Sequence, residues 1–276
     1  MTNSLLGALE MATRTDPGLV RGQNEDSVFA DAALGLAILA DGMGGYQAGE
    51  VASSMATELL SSGLARAFKA CAAHTADPDT GKLFAERALL EQIAVVNSAI
   101  YSAAEGQSRF GGMGTTLVAA VFCDDQMVVA HIGDSRLYRL RGEEFVALTH
   151  DHSFLQEQLD CGEISAEEAR YSVNRNLVTR AVGVDPEVEA EVHWHSVYAG
   201  DVYLLCSDGL YDMLEKGEVQ LLLERFGANL ELAATQLLQL ANDNGGDDNI
   251  SVVVIKVLRE FPAAPGRWAK LWSWFK

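Results

Sequence analysis

The chain has 276 residues and a formal net charge of −19, from 20 basic and 39 acidic side chains. This balance excludes binding to a phosphate backbone, which needs a basic face, and leaves carboxylates that either keep the protein soluble or hold hard cations. Residues are 49% hydrophobic, yet no apolar run approaches the roughly 20 residues that span a bilayer, so a globular chain with one large core or two modest ones is expected.

In chain order, MTNSLLGALE lacks a basic region, a long apolar centre and a cleavage site, so no signal peptide is expected and a cytoplasmic location is. Short apolar runs at Ser27–Ala30 and Gly35–Ala40 predict strands. From Gln47 to Lys69, Val51, Met55, Leu59, Leu60, Leu64 and Phe68 recur at helical spacing and predict a long helix, with a second from Lys82 to Ala104. Gly114–Leu148 predicts a strand meander with turns at Asp124-Asp125, Gly133-Asp134 and Arg141-Gly142. His150–Asn176 is polar and helix-forming, and Ser165 with Glu168 fits a capping box. Strands at Val188–His195 and Asp201–Cys206, helices at Glu218–Phe226 and Asn229–Asn242, and the strand ISVVVIKV complete the pattern. Hairpin strands with helices before and after predict an α+β fold of sheets packed together with helices outside.

The four cysteines, Cys71, Cys123, Cys161 and Cys206, show no CxxC pairing and suit free thiols in a reducing compartment. A cysteine-based phosphatase needs an Arg six residues after its nucleophile, but those positions hold Asp77, Val129, Glu167 and Asp212. GGMGTTL and DGMGG lack the Lys of a P-loop and do not support nucleotide binding.

The informative pattern is the placement of aspartates. Asp41, Asp134 and Asp208 follow apolar strands and Asp248 precedes one. One Asp-Gly at a strand end is ordinary turn chemistry. Four such ends brought to one edge would repel unless protonated or neutralised by a cation, and oxygen ligands favour Mg²⁺ or Mn²⁺ over zinc. Arg21, followed by Glu25 and Asp26, supplies a guanidinium fork that can hold a phosphate, although a solvated charged loop reads equally well from that segment alone.

RxxxED (Arg21–Asp26), DGMGGxxxGE (Asp41–Glu50), GMGTT (Gly112–Thr116), GDSR (Gly133–Arg136), LTHDHS (Leu148–Ser153), TRAVG (Thr179–Gly183), SDG (Ser207–Gly209) and DDNIS (Asp247–Ser251) occur in this order. The set resembles the metal-dependent protein serine/threonine phosphatases of the 2C type, in their bacterial form, over residues 10–258. The resemblance implies a four-layer αββα fold, in which a central sandwich of two antiparallel β-sheets is flanked by α-helices. It further implies a catalytic domain over 1–260 with a flap at about 150–177, leaving 261–276 as a basic aromatic tail.

Carried over motif by motif, Asp41 resembles the carboxylate bridging two Mn²⁺ or Mg²⁺ ions, with the Gly42 carbonyl as a further ligand. Asp208 and Asp248 resemble ligands of the first metal. Glu25 and Asp26 resemble groups holding the second metal or its waters, Asp134 a ligand of a third, weaker metal, and Arg21 the phosphate clamp. The implied reaction is attack on phosphoserine or phosphothreonine by a hydroxide bridging the two cations. Phosphorylated proteins are the implied substrates and a Ser/Thr kinase the implied partner of a monomeric enzyme.

Met43 stands where many eukaryotic relatives have the His read as general acid, and Met cannot donate a proton. Metal-bound water is the first candidate for that role and His152 a distant second. His131, between apolar residues, reads as a satisfied core histidine. His193 and His195 share a strand face that could hold a metal, though a part-exposed strand surface is the simpler reading. In the tail, Trp268, Leu271, Trp272 and Phe275 at helical spacing among Arg267, Lys270 and Lys276 suit either docking on the protein's own surface or contact with a membrane or partner.

Overall fold

The computed structural model describes residues 5–45, 47–169, 172 and 177–262. Strands β1 (Leu9–Asp16), β2 (Asp26–Asp31) and β3 (Leu36–Met43) come first, then helices α1 (Ala48–Ala70) and α2 (Phe84–Gly106). A meander follows as β4 (Gly114–Thr115), β5 (Leu117–Cys123), β6 (Gln126–Ile132), β7 (Arg136–Arg141) and β8 (Glu144–Ala147). Short helices α3 (Phe154–Asp160) and α4 (Ala166–Ala169) lie in the predicted flap. Strands β9 (Glu191–Ser196) and β10 (Val202–Cys206), helices α5 (Asp208–Tyr211), α6 (Lys216–Phe226) and α7 (Leu230–Asp243), and strand β11 (Ile250–Val257) close the chain.

All strand pairs are antiparallel. One sheet has the order β1-β11-β10-β7-β8 and the other β2-β3-β5-β6-β9, with β4 on β3. Alternation along each strand divides the apolar residues between two cores. In β3, Ile38 and Ala40 face α1 and α2, while Ala37 and Leu39 meet Leu205 and Val253 of the opposite sheet. The second sheet buries Leu204, Val252 and Val254 under α6 and α7. Across the sandwich, Phe122 and Tyr203 pack edge-on with ring centroids 5.5 Å apart. These layers are the expected αββα order.

The predicted turn at Asp124-Asp125 forms with both residues at φ 52°, the left-handed geometry that matches strand twist in a tight hairpin. The predicted capping box closes, with Ser165 N–H donating to Glu168 Oε2 and Glu168 N–H to Ser165 Oγ. Three readings change. β3 does not end at Ala40 but continues through Asp41 to Met43, because Gly42 and Met43 pair with the short strand β4. β1 was unpredicted: LEMATRTD carries few large apolar residues, and it holds its place as an edge strand along the whole of β11. Finally, the acidic ends come from both sheets rather than from one edge. The tail at 266–276 lies outside the described residues, and among the described residues no helix is long and apolar enough to cross a membrane.

Candidate active site

At one end of the sandwich a cleft of about 400 Å³ opens between the sheets. Arg21, Glu25, Asp41, Gly42, Asp134, Asp208 and Asp248 line it, together with Met43. Thus seven of the eight residues expected at the site reach the cleft. The eighth, Asp26, lies directly behind Asp41 as its register partner across β2 and β3.

Each carboxylate is fixed through the backbone around it. Asp41 N–H donates to Thr116 Oγ1 at 3.0 Å, and its carbonyl accepts from Thr116 N–H and from Thr115 Oγ1, both at 2.8 Å. The Thr116 hydroxyl also meets Ser135 Oγ at 2.7 Å, tying the Asp41 strand to the loop that carries Asp134. Tyr211 Oη donates to the Asp134 carbonyl, and Arg136 stacks 3.6 Å from the Tyr211 ring while gripping Asp151 with two nitrogens. Ser207 Oγ donates to Asp26 Oδ2 at 2.9 Å. Asn249 closes the other side: its Oδ1 accepts from Glu25 N–H, and its Nδ2 donates to the carbonyls of Pro17 and Gln23.

The glycines permit this crowding. A Cβ on Gly42 would lie 2.1 Å from the Gly49 carbonyl and 2.6 Å from that of Glu25, both backbone atoms that cannot yield. Glycine is therefore required where β3 crosses the start of α1.

Electrostatics define what the cleft can hold. Burial, then the neighbouring charges of Asp26, Asp208 and Asp134, push Asp41 well above the usual carboxylate range. Burial and then Asp134 and Asp248 do the same to Asp208. Burial lifts Asp134 to about 6 and Asp26 to about 7. Asp26 Oδ1 is buried with no hydrogen-bond partner. Carboxylates so placed ionise together only beside added positive charge, and Arg21 supplies a single guanidinium, 2.7 Å from Asp248 Oδ2. That side chain is 54% exposed, so the bridge contributes little to stability and leaves the fork able to turn toward an anion. The donor set is all oxygen and suits hard divalent cations.

Likeness to known proteins gives the family. A family model described as "Protein phosphatase 2C" matches residues 21–239. The chain belongs to the protein phosphatase 2C family. Among its relatives in this family, serine/threonine phosphatase stp of Listeria innocua is 40% identical over 249 residues, covering 88% of this chain and 94% of the relative. The catalytic domain of the serine/threonine protein phosphatase PstP, solved in complex with two manganese ions, is 40% identical with a TM-score of 0.77, covering 91% of this chain and 98% of that one. The Stp1 phosphatase of Staphylococcus aureus is 34% identical with a TM-score of 0.78, covering 90% and 95%.

The second candidate for the proton donor does not fit the geometry. His152 does not reach the cleft: its Nδ1 accepts from Gly133 N–H at 3.2 Å and its Nε2 faces Glu191. It is therefore not placed to protonate a leaving group. Asn249, Ser207 and Thr116 were missed, although each lies in a motif already singled out, beside or opposite an aspartate.

Proposed function

We propose that the chain hydrolyses phosphoserine and phosphothreonine in proteins, with two Mn²⁺ or Mg²⁺ ions held by Asp41, the Gly42 carbonyl, Asp208 and Asp248. Glu25 and Asp26 hold the second ion or its waters, and Asp134 serves a third, weaker one. The observation that carries this reading is the meeting of five buried or half-buried aspartates from both sheets beneath one exposed guanidinium.

Bound cations supply Lewis acidity and a water of lowered pKa. The chain's own residues do the rest. Thr116, Ser207 and Asn249 hold the carboxylates in a fixed constellation, so no reorganisation is needed as charge develops. Arg21 leaves Asp248 to take two phosphate oxygens, and among the described residues no cysteine lines the cleft. Met43 borders the phosphate position without a proton to give, so the leaving alkoxide takes its proton from water.

A phosphatase acting on small molecules is the competing reading, whereas a non-catalytic binding module would have no use for the retained Asp41, Asp208 and Asp248. With Mn²⁺ present, we expect hydrolysis of phosphoserine and phosphothreonine peptides far above that of sugar phosphates. The reverse preference would replace the protein substrate while leaving the metal site intact. We extend the proposal to a monomer in the cytoplasm that opposes a Ser/Thr kinase. Its domain limits are 1–260 for the catalytic unit, with a substrate-selecting flap at 150–177, and 261–276 for the tail. Co-sedimentation of full-length and tail-deleted protein with liposomes tests membrane contact by that tail.

A further inference from the structure

Beside the Asp134 loop lies a second cluster of a different chemical type, none of whose residues lines the cleft. β6 and β9 are paired so that His131 stands directly opposite Glu191. Alternation then puts Glu191, His193 and His195 on the same face of β9. His152 joins them from the start of the flap, anchored by its backbone N–H on the Gly133 carbonyl. One nitrogen each of His131 and His152 and a carboxylate oxygen of Glu191 lie within 4.8 Å of one another.

We propose that His131, His152 and Glu191, with His193 at the mouth, form a binding site for a borderline transition ion such as Zn²⁺, separate from the carboxylate centre. His131 is fully buried. Its Nε2 lies 2.8 Å from the His150 carbonyl, which fixes the proton there and turns Nδ1 into a bare lone pair. That Nδ1 is buried and has no hydrogen-bond partner, so the reading of His131 as a satisfied core histidine is half right. Burial draws His131 and His152 below the usual histidine range and keeps both rings in the neutral form that ligates metals.

Imidazole nitrogens favour zinc, cobalt or nickel, whereas the cleft's oxygens favour manganese or magnesium, so the two sites sort different ions. Tetrahedral bonds of 2.0–2.1 Å set ligand atoms roughly 3.3 Å apart. Metal binding at those distances requires the rings, which stack with His131 and His152 centroids 4.8 Å apart, to turn toward a common point. The approach is open, because the Glu191 and His193 side chains are 33% and 41% exposed. His193 Nε2 already meets Glu191 Oε1 at 2.6 Å.

Binding carries a structural consequence. A cation at His152 Nε2 would force the neutral ring to change tautomer: its single proton leaves Nε2, ending the hydrogen bond to Glu191 Oε2, and is carried on Nδ1 instead, with no net release to solvent. That nitrogen no longer accepts from Gly133 N–H. Occupation therefore loosens the loop carrying Asp134 and lowers phosphatase activity.

The test is a Co²⁺ titration of the full chain in saturating Mg²⁺, which keeps the carboxylate centre filled. We expect one Co²⁺ per chain with the strong visible bands of a four-coordinate, nitrogen-ligated ion, displaced by one equivalent of Zn²⁺. Zn X-ray absorption of that sample should show imidazole scattering. Glu191→Gln, at a half-exposed edge-strand position, should weaken Co²⁺ at least tenfold and leave Mg²⁺-dependent phosphopeptide hydrolysis unchanged in the absence of Co²⁺ and Zn²⁺. His193→Ala should weaken it less. Only the faint spectrum of six-coordinate oxygen ligation, or the same strong bands in Glu191→Gln, overturns the proposal.

Discussion

Replacing Asp26 by Asn should stabilise the metal-free protein and impair the metal-loaded one. Asp26 is buried, and burial is the main force lifting its carboxyl from 3.8 to about 7. A carboxyl raised this far binds its proton more tightly in the folded chain. Its contribution is intact below pH about 4 and is lost as the pH climbs to about 7. At 1.36 kcal/mol per tenfold shift, the full loss is about 4 kcal/mol. Asp26 faces Asp41 across the strand pair, and the two divide the penalty, so Asn should recover ~2 kcal/mol, which is about 4–8 °C in Tm for a chain of this size. The Asn oxygen can still accept from Ser207, and its NH₂ replaces the partnerless Oδ1 beside Asp41. In EDTA, differential scanning fluorimetry should show this advantage at pH 8 and none at pH 4. Mn²⁺ at a hundredfold excess over its Kd adds about 2.7 kcal/mol to the wild type and much less to the variant, so the order of stability reverses. An Asp26→Asn protein that melts below the wild type in EDTA at pH 8, or whose advantage is equal at pH 4, would refute the reasoning.

Asn249→Ala removes the three hydrogen bonds that hold the segment Pro17–Glu25, and urea melts should show a loss of about 2–4 kcal/mol with at least a tenfold fall in kcat/KM. Arg21→Ala should raise KM for a phosphopeptide roughly tenfold, and Arg21→Lys should restore only part, since an ammonium cannot span two phosphate oxygens; steady-state kinetics decide. Met43→His should retain activity with an altered pH–rate profile, and an unchanged profile counts against a general-acid role at this position.

Much of the site was legible because its aspartates interrupt apolar strands, where Asp is otherwise poorly suited. Asp41, Asp134, Asp208 and Asp248 could be picked out this way, but not the fact that they meet across two sheets. That depends on pairings such as β10 with β11, separated in sequence by three helices. Asn249 and Thr116 were invisible for another reason. They act by binding backbone groups of distant segments, and nothing in their local sequence names the partner. His152, a remote candidate for the proton donor on its motif position alone, turns its ring back against Gly133 and Glu191. β1 was lost to its polar composition and is defined only by its register with β11.

The central claim is that metal ions held by these carboxylates perform the hydrolysis. The direct measurement is phosphopeptide turnover by the wild type and by Asp208→Asn across a Mn²⁺ titration, with bound manganese counted in parallel. The wild type should require Mn²⁺ and stop in EDTA. Asp208→Asn should bind less manganese and turn over at least about a hundredfold more slowly, the order expected when a preorganised electrostatic group is removed. Equal rates in the two proteins, or turnover that persists in EDTA, would contradict the account.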